Sequence, residues 1–188
     1  MTKRHISPDE LLTMSYRLAL HVYESGFDPD YIVGIWRGGA PIGIAVQELL
    51  KYVGVESDHV AIRTSSYVGV NQRNKQVQVH GLNYIIKRIK HTDKLLIVDD
   101  VFDTGLSVAQ VVHDLTTACK LNTPQVRIAT PFFKPNNNQT DIEPDYCLEY
   151  TDEWLVFPHE VCDLTKQELA DNKPELYDLL ELYLPLSH

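Results

Sequence analysis

The chain has 188 residues, 44% of them hydrophobic, and sets 17 Lys and Arg against 26 Asp and Glu for a formal net charge of −9. That length fits one domain burying about 70% of its unfolded surface, and the acidic balance argues against nucleic acid as the main partner. No apolar run approaches the ~18 residues of a membrane span, and the charged start (Lys3, Arg4, His5) lacks the apolar core of a signal peptide. The cysteines (Cys119, Cys147 and Cys162) are odd in number and form no C-x-x-C pair. This argues against a disulfide framework and for a reducing compartment, so a cytoplasmic protein is expected.

Ser7-Pro8-Asp9-Glu10 predicts a helix start, with Ser7 as N-cap, Pro8 in the first turn and Glu10 reaching back. Apolar positions follow at Leu11, Leu12, Tyr16, Leu18, Ala19, Val22 and Tyr23, and Gly26 ends the helix. Tyr31 to Trp36 (Y-I-V-G-I-W) predicts a core strand. Arg37-Gly38-Gly39-Ala40-Pro41 comes next, then a second helix from about Ile42 to Tyr52. His59 to Tyr67 is a further strand. The polar stretch from Val68 to Gln78, with Arg73 and Lys75, has no helical periodicity. It reads either as an exposed hairpin or as a lid that closes over a ligand and excludes water.

Leu95 to Val98 is a short buried strand, and two adjacent carboxylates, Asp99 and Asp100, cap it. Asp103, Thr104 and Gly105 form a tight turn, and Leu106 to Leu121 carries helical spacing. A strand, a turn and a helix in this order aim successive main-chain N–H groups at one spot, which suits a phosphate. Thr104 and Ser107 add hydroxyls. The paired carboxylates would repel a phosphate but suit ribose hydroxyls or Mg²⁺ beside it. A ligand with both a sugar and a phosphate satisfies both halves. Arg37 with two glycines at a strand's C-terminal end lets backbone approach an anion while a guanidinium forks onto it.

The chain continues with a strand from Gln125 to Phe133, then Lys134 and an Asn-rich turn (Asn136 to Asn138) whose ordinary reading is a solvated one. A strand at Asp145–Tyr150 and the segment Trp154-Leu155-Val156-Phe157-Pro158-His159-Glu160 follow. The tail reads as two leucine-rich helices broken at Asn172-Lys173-Pro174, with Pro174 in the first turn of the second.

The run L-L-I-V-D-D-V-F-D-T-G-L-S resembles the phosphoribosyl diphosphate (PRPP) motif of the type I phosphoribosyltransferases. Arg37-Gly38-Gly39 is similar to the pyrophosphate loop of that family, where a non-proline cis peptide is usual. Here that peptide would be Trp36–Arg37 or Arg37–Gly38. Ser65-Ser66-Tyr67 with Asn71-Gln72-Arg73 resembles the flexible loop of bacterial xanthine–guanine phosphoribosyltransferases. Ala129-Thr130 followed by Lys134-Pro135 and then Trp154 with Pro158 resembles the base site of the 6-oxopurine members. His159 and Glu160 depart from the W-D that usually follows that proline.

The resemblance covers roughly Tyr31 to Glu160. It implies an α/β fold: a mostly parallel five-stranded sheet flanked by helices (core about 27–150), with a small hood from the N-terminal helix and about 151–188. It implies transfer of ribose 5-phosphate from PRPP to a purine N9, assisted by Mg²⁺. PRPP would be bound by Arg37, Gly38, Asp99, Asp100, Asp103, Thr104, Gly105, Leu106 and Ser107. Ser66, Tyr67, Arg73 and Lys75 would belong to the lid, and Lys134, Trp154, Leu155 and Val156 to the base. Asp99 and Asp100, and also Glu160, would face metal. Asp103 would act as general base at N7, whereas orotate and adenine enzymes generally carry a small residue there. Family habit and the leucine-rich tail imply a homodimer or homotetramer. Three other readings are a PRPP-sensing regulator that does not catalyse, a phosphoribosyltransferase for another nucleobase and a dinucleotide-binding module. The last lacks a G-x-G-x-x-G after any strand.

Overall fold

A computed structural model describes residues 3–67 and 76–184. In chain order the elements are β1 (Lys3–His5), α1 (Pro8–Glu24), β2 (Tyr31–Trp36), α2 (Gly39–Tyr52), β3 (Asp58–Tyr67), β4 (Gln76–His80), α3 (Asn83–Ile86) and β5 (Lys94–Val98). They continue with β6 (Val101–Phe102), α4 (Leu106–Cys119), β7 (Gln125–Phe133), β8 (Tyr146–Tyr150), β9 (Trp154–Val156), α5 (Lys166–Asn172) and α6 (Pro174–Tyr183). The chain divides into two compact units: Asp9–Asp152, and Met1–Pro8 together with Glu153–His188.

The larger unit is built on five parallel strands in the order β3–β2–β5–β7–β8, with β4 antiparallel on the outer edge of β3. The apolar runs Ile32–Ile35 and Leu95–Val98 are buried along their whole length, as a parallel sheet covered on both faces requires. Val33, Ile35, Ile62, Leu95, Ile97 and Ile128 form its core with Val108, Val111 and Leu115 of α4. Burying each such side chain contributes about 1.5–3 kcal/mol. β6 continues the line of β5 along β7: Val98 pairs with Ala129 and Val101 with Phe132, at an unchanged offset. Asp99 and Asp100 therefore interrupt a strand without shifting its register.

Several boundaries differ from those the sequence implies. The second helix starts at Gly39 rather than Ile42, with Gly38 already helical (φ −65°, ψ −37°); Pro41 is tolerated because first-turn N–H groups have no intrahelical partner. Gln76 to Gln78 of the polar stretch are paired strand, opposite Tyr67 to Ser65. α4 stops at Cys119 and leaves Leu121 exposed in a 3₁₀ turn. On α1 the buried face is Leu11, Met14, Ser15, Leu18, Ala19 and Val22, whereas Leu12, Tyr16 and Tyr23 are exposed. From Asp9 onward this helix, expected in the hood, belongs to the larger unit. Ser25, just beyond its end, shares a hydrogen bond with the Tyr146 hydroxyl of β8 (2.6 Å).

In the smaller unit β1 pairs in parallel with β9, Lys3 opposite Trp154 and His5 opposite Val156. α5 opens on a capping box in which the Thr165 hydroxyl accepts from Glu168 N–H and the Glu168 carboxylate accepts from Thr165 N–H. Pro174 stands in the first turn of α6. Lys3 Nζ reaches Glu168 Oε1 at 2.5 Å.

Candidate active site

Two strand ends of the larger unit meet at the point where the phosphate-binding chemistry was expected. At the end of β2 the Trp36–Arg37 peptide is cis, and Gly38-Gly39 turns directly into α2. A β-carbon on Gly39 would lie 2.2 Å from the Val98 carbonyl oxygen and 2.9 Å from Asp99 Cα. One on Gly38 would lie 1.7 Å from Asp100 Oδ2. Gly39 is thus required by the close approach of main chain to the acidic loop, whereas at Gly38 the neighbour is the end of the Asp100 side chain. The Gly39 amide also hydrogen-bonds the Asp99 carboxylate.

Asp99 Oδ1 accepts from Asp100 N–H (3.0 Å), and Asp100 Oδ1 accepts from Val101 N–H (2.8 Å). Burial, and then the neighbouring Asp100 charge, push the Asp99 carboxyl well above the usual range; the Asp100 and Gly39 main-chain N–H groups oppose this. Two adjacent carboxylates under such strain form an oxygen donor set that suits a hard divalent cation. Mg²⁺ characteristically takes one or two carboxylates and completes its shell with water and substrate phosphates. Among the described residues no cluster of three or more His, Cys, Asp or Glu could hold a metal, so Asp99 and Asp100 fit such an ion only as a two-carboxylate set.

After β6 the chain turns through Asp103-Thr104-Gly105 into α4. Gly105 adopts φ +74°, a region that favours glycine, and its Cβ would lie 2.7 Å from both the Phe102 ring and Thr140 Oγ1. Gly105 O then receives Ala109 N–H, which leaves the earlier amides of α4 as the ready anion site of a helix start. Leu106 and Ser107 lie half-buried at this start. Thr104 Oγ1 accepts weakly from Leu106 N–H (3.5 Å), and Thr104 O accepts from Gln139 N–H (3.0 Å).

Lys134, one residue past β7, is buried to 7% exposure. Its Nζ lies 3.2 Å from Asp103 Oδ2, and Asn137 Nδ2 donates to Asp103 Oδ1 at 2.9 Å. Asn137, exposed in the Asn-rich turn, had no role assigned from the sequence. From the surface the turn buttresses the acidic one through the Asn137 side chain on Asp103 and the Gln139 N–H on Thr104 O. The Lys134-Pro135 stop followed by three asparagines was the available signal, since Asn side chains favour bonding to nearby main chain in turns.

Of the lid residues, Ser66 and Tyr67 close β3 opposite Val77 and Gln76; Arg73 and Lys75 lie outside the described residues. In the smaller unit Trp154 is 55% exposed, while the Leu155 and Val156 side chains are buried. Val156 O accepts from Ile6 N–H (2.9 Å), which turns Val156 toward β1. Successive residues of a strand address opposite edges, so Leu155 directs its main-chain groups away from β1. The Glu160 carboxylate accepts from Phe157 N–H (3.0 Å) and so serves its own loop.

The glycine-tight loop, the acidic pair and the helix-start cradle all lie at the carboxyl ends of a parallel α/β sheet, the place where open sheets of this class bind ligands. A family model for the phosphoribosyl transferase domain matches residues 9–166. The chain belongs to that family. It is 31% identical over 128 residues to a hypoxanthine-guanine phosphoribosyltransferase of Streptococcus pyogenes, a match covering 66% of this chain and 65% of that relative's length. Another of that name from Streptococcus mutans is 27% identical over 153 residues, covering 80% of this chain and 79% of the relative. The crystal structure of a purine phosphoribosyltransferase from Pyrococcus horikoshii superposes with a TM-score of 0.67 at 26% identity, over 88% of this chain and 99% of that one.

Proposed function

We propose that the protein transfers the 5-phosphoribosyl group of PRPP to N9 of a 6-oxopurine (hypoxanthine, guanine or xanthine) and releases pyrophosphate, a purine salvage reaction. The observation that carries this reading is the buried Lys134 ammonium 3.2 Å from the Asp103 carboxylate. A 6-oxopurine presents O6 and N7 side by side on one edge. An ammonium donates to O6 and a carboxylate takes the N7 proton, whereas the amino group of adenine would meet Lys134 donor to donor.

Each residue has a defined part in this proposal. The Thr104 and Ser107 hydroxyls and the main chain of Asp103 to Ser107 anchor the 5′-phosphate. Asp99 and Asp100 hold the ribose hydroxyls and would be the residues that hold Mg²⁺. Such positioning is worth up to about 7–11 kcal/mol of barrier. Bound there, Mg²⁺ would neutralise charge on the diphosphate as it leaves. The Arg37 guanidinium and Gly38 N–H stabilise the same charge from the protein side. Asp103 takes the N7 proton as N9 attacks C1′, a step worth about 10²–10⁴-fold. Trp154 lies on the purine face, and the main chain of Leu155 and Val156 reads its remaining edge. Of that pair, Leu155 is favoured by the engagement of Val156 with Ile6. Ser66, Tyr67, Arg73 and Lys75 cover the diphosphate. A role for Glu160 toward a second metal is disfavoured by its bond to Phe157. Assembly as a homodimer or homotetramer in the cytoplasm completes the reading.

Pyrophosphate release from PRPP and Mg²⁺ tests it, with hypoxanthine, guanine, xanthine, adenine, uracil and orotate in parallel. Turnover with one or more of the first three alone is expected. Turnover with adenine or a pyrimidine overturns the roles of Asp103 and Lys134, and PRPP binding without turnover points to a sensor.

A further inference from the structure

Beyond β9 the chain is tied down by groups that none of these roles uses. Phe157 N–H donates to Glu160 Oε2 (3.0 Å), and Glu160 N–H returns to Phe157 O (3.0 Å). Lys173, at the junction of α5 and α6, donates from Nζ to Phe157 O (3.1 Å) and to Pro158 O (2.8 Å). A carboxylate thus meets the N–H of Phe157 and an ammonium its carbonyl, so the residue is held by charge-assisted bonds at both ends. Its ring is buried at 2% exposure and stacked on His159, with centroids 5.6 Å apart.

Lysines commonly lay their stems on the surface and keep the charge in water. Lys173, half-buried, turns its ammonium onto two main-chain carbonyls instead; burial lowers its pKa, and the Glu160 carboxylate acts in the opposite direction. The main chain of Lys173 is fixed as well. Its N–H closes α5 on Leu169 O (2.7 Å), and its carbonyl receives Tyr177 N–H of α6 (2.9 Å). The two tail helices therefore aim one ammonium at the residue that directly follows β9. Val156 is bonded to Ile6 beside β1, so the edge of β9 away from β1 is presented by Leu155, two residues before the clamped Phe157.

We propose that Lys173 is a positioning residue for nucleobase recognition: with Glu160 it holds the Phe157–Pro158 main chain, and through it the edge of β9 that meets the base. This gives the C-terminal helices a part in substrate selection, and it rests on the assignment of Trp154 to Val156 to the base.

The test uses the full chain with Lys173→Met, which keeps the stem and removes the charge, and Lys173→Arg, which restores a donor. Charge-assisted bonds of this kind predict a rise of about tenfold in the KM for hypoxanthine in Lys173→Met. The KM for PRPP should stay within about twofold and Tm within about 3 °C, and Lys173→Arg should recover most of the loss. An unchanged KM for hypoxanthine, or a joint rise in both KM values with a falling Tm, overturns the proposal. If the unmutated chain turns over no base, the transferase reading fails by itself. The positioning role is then read from hypoxanthine titration by Trp154 fluorescence (with Trp36 replaced by Phe). Binding about tenfold weaker in Lys173→Met supports the role; equal binding, or none in the unmutated chain, overturns it.

Discussion

The loops of the larger unit and the β9 segment of the smaller one are held by different means. At Gly39 the main chain lies so close to the Val98 and Asp99 main chain that no β-carbon fits, and at Gly105 a φ of +74° adds to the crowding by the Phe102, Asn138 and Thr140 side chains. Around β9, side chains do the holding: Lys173 and Glu160 on Phe157, Thr165 and Glu168 on each other, and Lys3 on Glu168. The first arrangement admits almost no substitution. The second can be adjusted one side chain at a time. Under the proposed function this division is sensible, because the phosphoribosyl donor is constant while the base must be selected.

The contrast is broken most severely at Gly39. An alanine there meets the Val98 carbonyl and Asp99 Cα, both main chain, so the acidic loop must move. Overpacking of this kind costs about 3 kcal/mol, or roughly 6–12 °C in Tm for a chain this size, and turnover should be lost with it. A Gly39→Ala protein of normal Tm and activity would mean the two loops are loosely held. Asp103→Asn is expected to cut turnover by about 10²–10⁴-fold while the Kd for PRPP stays unchanged; unaltered turnover removes its general-base role.

At Asp99 the close packing of the larger unit's loops makes stability depend on pH. The raised Asp99 pKa means that the folded, ligand-free protein keeps a proton the unfolded chain releases near pH 4. Stability therefore falls as pH rises from about 4 through the folded value. Asp99→Asn should melt higher than the unmutated chain at pH 7, by a margin that shrinks toward pH 4, and should bind PRPP less well. A lower Tm at pH 7 contradicts this. The smallest effect belongs to Glu168, whose pKa is lowered to about 2, first by the Lys3 hydrogen bond and then by Thr165. The stability it contributes is present above its ordinary value near 4.5 and is lost as pH falls toward 2. Glu168→Gln should lower Tm slightly at pH 7, and the gap should close on acidification; a gap independent of pH would place the contribution elsewhere.

Much of this was legible in the chain. The apolar runs at Tyr31–Trp36, Leu95–Val98 and Gln125–Phe133 are strands at nearly those bounds, because a run buried on both faces admits little else. Arg37-Gly38-Gly39 and Asp99–Ser107 announced themselves through chemistry that close backbone approach demands. Less was legible where the determinants are distant in sequence. Asn137 is a solvated turn residue, and only the fold brings Asp103 within reach of its amide. Lys173 looks like a surface charge between helices, since only the path of the chain after β9 puts two carbonyls at its Nζ. The outward Leu12, Tyr16 and Tyr23 of α1 share the helical spacing with the buried face, so periodicity alone could not separate them.

The central claim is that Asp103 and Lys134 together read the N7 and O6 edge of a 6-oxopurine. The most direct test is kcat/KM for hypoxanthine in Lys134→Ala at saturating PRPP, measured beside the Kd for PRPP. A loss of about 10–100-fold is expected for hypoxanthine, the worth of a charge-assisted hydrogen bond, with the Kd for PRPP within about twofold. An equal loss on both substrates, or no loss on hypoxanthine, contradicts it.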